Sequence, residues 1–549
     1  MEAHSPHSSL RDLIGPGYIG PIWSGGQEIL RRIFVTVRDG QWREVAPTQW
    51  ETSVDQASGS IVFNARHASK AVDFEWRGQL HLNEDSREVR FAFEGRALRD
   101  MDVCRVGLVV LHPVDSMVGS ELSVHGTVAR AIAPQRVVDG VPQAMTEPFS
   151  SLVIERADFG RLELELAGDL FEIEDQRNWG DASFKTYCTP LRLGFPRVMK
   201  AGAEVAHSVA ARFKPPMASL ASAAADRASS AWPNRRERHG SVFPMLGREQ
   251  DAASLLRNPS DSHLSWHHIH FEASRDEHFA AIKTALDSNP SLIVELQLEV
   301  DAEHPLAATW VTLISTYQER IARLLVCGSR GSLPTTRAID RVRRAVDAAG
   351  APGLPLLANT RGYFVEFNRG HRLEACVSGI AFPLSPTVHS DDVATIVENV
   401  SIIDDIAETA RSLTNPSQLA ISPLALYYPS GPSNVPPALI KPWVAATLCY
   451  AGLAGITTVT LSANMLGALD VKRPDTQRFI ASLLECAGRE VVPLDARLPS
   501  GVHAIRFLAR GDGLGSALVA NLNPRSVQFS SVEIPQFGTA WIEPEHLRA

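Results

Sequence analysis

The sequence predicts a multidomain α/β plus β protein. Its expected parts are an N-terminal antiparallel β-sandwich, a central (β/α)8 TIM-like barrel and a small C-terminal β-domain. Three observations predict this. The first 214 residues alternate apolar and polar side chains with period two, as strands with one buried face do. From about residue 240 to 490, eight short apolar runs alternate with amphipathic helical stretches. The last stretch, from about residue 491, returns to strands. A chain of 549 residues is too long for one core, and the expected domains are 1–214, 215–490 and 491–549.

In the N-terminal part, Val72, Phe74, Trp76, Leu80 and Leu82 alternate with Asp73, Glu75, Arg77, Gln79 and His81. Val89, Phe91 and Phe93 repeat the pattern, as do Leu162, Leu164 and Leu166 against Arg161, Glu163 and Glu165. Many such strands with turn signals between them indicate an antiparallel sandwich. A break follows at Lys214-Pro-Pro, then an Ala/Ser-rich stretch.

Barrel strands are expected at 241–246, 264–270, 291–299, 321–327, 354–359, 376–382, 418–424 and 457–461, and helices at 277–287, 334–349, 392–412 and 474–487. A doubly wound sheet is the alternative. Residues 442–469 carry no charge, but Gly452 and Gly455 interrupt them; a buried helix, a Gly-rich stop and a buried strand explain them better than a membrane span. Near the C-terminus, Val502–Leu508 and Ala517–Leu522 flank Arg510-Gly-Asp-Gly-Leu-Gly, a hairpin signal.

A net charge of −9 without a Lys/Arg cluster argues against a nucleic-acid partner. Met1-Glu-Ala-His-Ser-Pro has no basic region followed by an apolar run, so no signal peptide and no membrane association are expected. Six scattered cysteines without a CxxC suggest reduced thiols and a cytoplasmic location. There is no phosphate loop with a following Lys and no Gly-x-Ser-x-Gly elbow, and the reading invokes no cofactor.

Residues 171–190 concentrate the chemistry. They set Glu174, Asp175, Arg177, Asn178, Asp181 and Lys185 around Trp179 and Tyr187. Planar hydrogen-bonding groups beside aromatic faces suit a sugar-like ligand, although charges that pair with one another give the same composition. Barrel enzymes carry their sites on the loops after the strands. The loop after 354–359 offers Arg361, Tyr363, Glu366, Asn368 and Arg369. The loop after 376–382 offers His389, Asp391 and Asp392; Ser390, Asp391 and Asp392 would also serve as a helix cap, which does not require His389. After 418–424, Tyr427 and Tyr428 suit either a sugar pocket or the barrel rim. His267, His268 and His270 have spacing that would suit a metal, but packing or lining roles are favoured and no metal is assigned.

The segments Glu174-Asp-Gln-Arg-Asn-Trp-Gly-Asp-Ala-Ser-Phe-Lys-Thr-Tyr, Tyr363-Phe-Val-Glu-Phe-Asn-Arg and Ser385-Pro-Thr-Val-His-Ser-Asp-Asp together resemble the D-apionate lactonase family. The resemblance spans nearly the whole chain. It implies an N-terminal β-domain, a barrel, a small C-terminal β-domain and hydrolysis of a sugar-acid lactone. The chain departs from the family pattern at Ser385, where Asn is usual. After the last barrel strand, Leu461, Ser462 and Ala463 replace an aromatic pair and a Glu, and Ser265 and His267 stand where Arg and Asp are usual.

The expectation is therefore a lactone hydrolase acting on a small sugar lactone or sugar acid. His389, oriented by Asp391 or Asp392, or alternatively Glu366, would activate water. Arg177 or Lys185 would stabilise the oxyanion, and Glu174, Asp175, Asn178 and Asn368 would hold hydroxyls. Trp179, Asp181, Arg361, Tyr363 and Tyr427 complete the expected binding set. The alternatives are a glycoside hydrolase using Glu366 with Asp181, or a sugar-acid binder without catalysis.

Overall fold

The computed structural model describes residues 10–131, 137, 145–216, 241–249 and 266–547, apart from 16, 25–26, 84–86, 273–275, 301–307, 371–376, 415, 427–434, 495–497 and 510–513. It divides into two compact units. One comprises Met1–Pro134, Val138–Gln176 and Ser183–Ser229; the other comprises Gln135–Val137, Arg177–Ala182 and Ser230–Ala549.

Among its described residues the first unit holds two large antiparallel sheets and a two-stranded one, Ile22–Ser24 with Gln27–Leu30. A nine-stranded sheet runs, in spatial order, through Thr127–Ala131, Glu121–Val124, Ser151–Arg156, Gly160–Ala167, Glu204–Lys214, Glu88–Ala97, Asp73–Asn83, Ser60–Ala68 and Gln49–Asp55. A five-stranded sheet is built around Met101–Pro113, which pairs with Arg32–Asp39, Ser183–Tyr187 and Arg197–Met199, while Glu172–Asp175 pairs with Ser183–Tyr187. The period-two pattern decides which side chains are buried. Phe74, Trp76 and Leu80 are inside, and Leu162, Leu164 and Leu166 face Phe213, Ala211 and Val209 in register. Residues of both sheets, among them Phe63, Phe91, Leu108, Ile173 and Phe184, share one buried cluster.

In the second unit eight parallel strands close into a TIM barrel in chain order: Met245–Glu249, Trp266–Glu272, Val294–Glu299, Ile321–Cys327, Leu356–Asn359, Gly379–Leu384, Gln418–Leu424 and Thr458–Leu461. The last strand pairs back onto the first, Met245 opposite Thr458, and this closure excludes a doubly wound sheet. The first strand begins later than expected. Its predicted start is occupied elsewhere: Val242 bridges Glu490, and the Val491 N–H donates to the Ser241 carbonyl.

The interior of the barrel is layered. Leu325, Leu357, Ala381 and Ala420, one each from the fourth to seventh strands, form a buried cluster in which Leu325 is opposite Leu357 and Ala381 opposite Ala420. On the same strand faces Glu295 and Arg323 meet with Oε2 and Nε 2.5 Å apart, both fully or nearly fully buried. Ser422 Oγ and Thr460 Oγ1 donate to Glu295 Oε1, and Arg323 Nη1 donates to Thr458 Oγ1.

The expected helix at 392–412 is two helices, Val393–Asn399 and Ile403–Thr414, joined by a 3-10 turn at Val400–Ile402. Ala308–Tyr317 is a helix that the sequence concealed, because Trp310, Val311, Ile314 and Tyr317 read as strand formers until packing decides. The charge-free segment resolves into a helix, Pro437–Leu453, a left-handed Gly455 and the eighth strand. Among the described residues no helix is long and apolar enough to cross a membrane.

The strands Val491–Pro493, Val502–Leu508, Leu514–Asn521 and Gly538–Ile542 form a four-stranded antiparallel sheet with its own buried cluster, including Val502, Val519, Phe529 and Ile542. The second and third pair with Val502 opposite Asn521; the turn residues 510–513 lie outside the described set.

Candidate active site

Two loops at the C-terminal ends of neighbouring barrel strands carry the candidate side chains. After the fifth strand, Thr360 Oγ1 donates to the Gly331 carbonyl and accepts from the Gly362 N–H. This tight turn leads into the short helix Val365–Arg369, which presents Glu366, Asn368 and Arg369. After the sixth strand, Asp392 caps the helix Val393–Asn399: its carboxylate accepts from Thr395 N at 3.0 Å and from Ser390 Oγ at 2.5 Å. The cap fixes the end of the loop that holds His389.

The third contributor is Arg177–Ala182, which belongs to the barrel unit. It is held by Asn399, whose Oδ1 accepts from Ala182 N at 2.8 Å and whose Nδ2 donates to Asp181 Oδ1 at 3.2 Å and to the Pro386 carbonyl at 3.0 Å. Gly180 has φ +98°, and a Cβ there would stand 3.3 Å from both Leu384 Cδ1 and the Ser385 carbonyl oxygen. Gly180→Ala is therefore expected to destabilise the protein by about 1–3 kcal/mol and to reduce activity by displacing Asp181. Thermal unfolding and steady-state kinetics check both effects, and an unchanged kcat would refute the second.

Asp181 is the partner of His389: Oδ2 lies 2.5 Å from Nδ1. Of the expected partners, Asp392 caps the following helix, and Asp391 stands immediately before it. A carboxylate can only accept here, so Nδ1 carries the proton and Nε2 is left as the basic nitrogen. Trp179 stands beside the pair. Its ring packs edge-on against His389 (centroids 5.8 Å apart) and Tyr363 (5.4 Å), and the Arg369 guanidinium lies 5.3 Å from its centre. Arg369 is also ion-paired with Glu366 at 3.2 Å, and Asn368 Nδ2 donates to Asn178 Oδ1 at 2.5 Å. The structure thus brings together Asn178, Trp179, Asp181, Tyr363, Glu366, Asn368 and His389, which lie in three separate stretches of sequence.

Other expected residues are placed differently. Arg177 is fully buried and ion-paired with Asp405 at 3.0 Å, which ties it to the helix Ile403–Thr414. Lys185 and Glu174 belong to the first unit, where they pair across adjacent strands at 2.7 Å, both buried. Each of the two cations expected to stabilise an oxyanion thus has an ion-pair partner. Asp175 is buried in the first unit, and Arg361 is exposed, its N–H bonded to the Gly331 carbonyl. Tyr427, Tyr428 and the side chains of His267, His268 and His270 lie outside the described residues. Asn399 is a contributor absent from the expected set, since in sequence it reads simply as a helix residue, and Arg369, a candidate of the loop after the fifth strand, had no expected role.

Burial pushes the Lys185 amine down to about 8, with Glu174 pulling the other way. Above that value the folded chain has released a proton that the unfolded chain still holds, so rising pH favours folding. The urea midpoint of the first unit is expected to rise between pH 8 and 10. The rise should be smaller in the double variant Lys185→Met, Glu174→Leu, and an equal rise in both proteins would refute the assignment.

A cleft of about 450 Å³ lies on the nine-stranded sheet, lined by Glu51, Asn64, Arg66, Glu75, Arg77 and Arg96 among others. Its charges are paired locally, Arg66 with Asp73 at 2.8 Å and Arg96 with Glu75 at 2.7 Å, as on a solvated sheet face.

Residues 10–216 match the family model "D-apionate lactonase, N-terminal domain", and residues 245–437 match "D-apionate lactonase, TIM barrel domain". The chain belongs to the D-apionate lactonase family. A curated D-apionate lactonase of Brucella anthropi is 26% identical over 196 residues, which cover 34% of this chain and 31% of the relative. The alignment with this family member therefore spans about a third of its length. Among solved structures, a GH36 alpha-galactosidase of Geobacillus stearothermophilus is 10% identical with a TM-score of 0.29, over 93% of this chain and 86% of the other. A putative aldose 1-epimerase of Escherichia coli K12 is 12% identical with a TM-score of 0.25, over 36% of this chain and 93% of the other.

Two departures from the family pattern have clear local roles. Ser385 is buried, and its hydroxyl donates to the Leu426 carbonyl. Ala463 opens a helix capped by Ser462, and its N–H donates to Glu249 Oε2 at 3.2 Å. A carboxylate from the first barrel strand thus stands at the end of the eighth.

Proposed function

We propose that this protein hydrolyses a sugar-acid lactone, with D-apionolactone as the type of substrate, and that His389 is its general base. The observation that carries the reading is the chain Asn399–Asp181–His389 on the C-terminal side of the barrel strands. Asp181 acts as a positioning residue: it holds the ring and the Nδ1–H tautomer. Nε2 takes a proton from water, and the water oxygen attacks the lactone carbonyl carbon. The tetrahedral intermediate collapses with cleavage of the ring C–O bond, and the ring oxygen takes the proton back from the imidazolium. The product is the open-chain hydroxy acid.

Trp179 and Tyr363 supply aromatic faces for C–H surfaces of the ligand, and Asn178 and Asn368 supply amides for hydroxyls. Arg369, held between Glu366 and the Trp179 ring, is the cation of this group that suits the developing oxyanion. The glycosidase alternative requires Asp181 to work with Glu366. Asp181 already serves His389 and Asn399, which favours the lactonase. The test is pH-stat hydrolysis of D-apionolactone and other aldonolactones by the purified protein. Turnover above the spontaneous rate supports the reading, and its absence across the panel sinks it.

A further inference from the structure

The fifth barrel strand ends on an amide that no described residue engages. Asn359 has no solvent exposure, and among the described residues neither Nδ2 nor Oδ1 has a hydrogen-bond partner. Its direction follows from the register. Leu357, two residues earlier, lies in the interior cluster with Leu325, Ala381 and Ala420, so Asn359 points to the same interior, one layer nearer the C-terminal ends. Asn359 is opposite Ala381, whose small side chain leaves room on that side. On the third and fourth strands the corresponding layer holds Glu299 and Cys327, which are in register with each other. An unpaired buried amide is costly, and a fold keeps one where a ligand completes it.

We propose that Asn359 is a substrate-binding residue that reads a vicinal diol of the lactone. One hydroxyl donates to Oδ1 while the neighbouring oxygen accepts from Nδ2, a two-point contact that an amide matches and a simple lactone lacks. This rests on the lactonase reading and deepens it. His389 activates the water that attacks the carbonyl, whereas Asn359 selects a polyhydroxylated ring over a plain one.

The test compares full-length wild type, Asn359→Leu and Asn359→Ala. The Tm of each is measured alone and with D-apionolactone or its open acid. Hydrolysis of D-apionolactone is set against that of γ-butyrolactone, which has no hydroxyls. Removing an orphaned amide should leave the Tm of at least one variant equal to or above wild type. In both variants the ligand-induced Tm rise should be lost, and kcat/KM should fall roughly 10- to 100-fold for the hydroxylated lactone but less than about 3-fold for γ-butyrolactone. A lower Tm in both variants, or an undiminished ligand-induced rise, overturns the proposal. Failure of the lactonase reading looks different: wild type would hydrolyse neither lactone, and the Tm rise with the acid would still decide the role of Asn359. No rise in wild type with either ligand would overturn the role of Asn359, and with no turnover as well it would overturn both.

Discussion

His389→Ala is expected to lower kcat for lactone hydrolysis by about 10²- to 10⁴-fold, the usual contribution of a positioned general base. KM should change little, because the imidazole acts on water. Asp181→Asn should produce a comparable loss by a different route. An amide presents either its oxygen or its NH₂ to Nδ1, so the tautomer is no longer fixed, and Asn399 Nδ2 loses a charged acceptor. The two losses should not multiply in the double variant, since both act on one proton transfer. If both single variants retain turnover within about two-fold of wild type, the base is elsewhere, and Glu366→Ala becomes the informative variant.

The second large effect concerns stability. Glu295→Leu leaves the Arg323 guanidinium inside the barrel without its counter-charge, and a loss of about 3–5 kcal/mol is expected. Arg323→Met should cost a similar amount by stranding the carboxylate. The double variant should recover most of the loss, because two apolar side chains remove both charges at once. Urea unfolding followed in the barrel transition checks this. Additive losses in the double variant would show that the hydrogen bonds from Ser422 and Thr460 and to Thr458, rather than the pairing, stabilise this layer.

The barrel strands were legible because they are buried on both faces and read as short apolar runs. The first was misplaced by several residues, since Ser241-Val-Phe reads as a strand wherever it pairs, and it pairs with residues near Glu490. The loop residues were legible one by one as polar groups following strands. Their partners were not. Asp181 lies 208 positions before His389, whereas Asp391 and Asp392 are adjacent to it in sequence and looked like the natural orienting groups. Local capping chemistry claims Asp392, and only tertiary structure delivers Asp181. Arg177 illustrates the same limit: nothing near it in sequence reveals Asp405, 228 residues away, as its counter-ion. Asn399 looked like an ordinary helix residue because its role depends on the chain it holds.

The six residues Arg177–Ala182 group with the barrel, while Gln176 and Ser183 on either side belong to the first unit. In genetic terms the proposed site is not a cassette. A gene fragment starting after Pro216 would encode every barrel strand and His389, yet neither Trp179 nor Asp181. Grafting this barrel onto another N-terminal domain would likewise yield an imidazole with no carboxylate to set its tautomer. Exchange of the front of this protein would have to carry that short excursion with it to keep the proposed site.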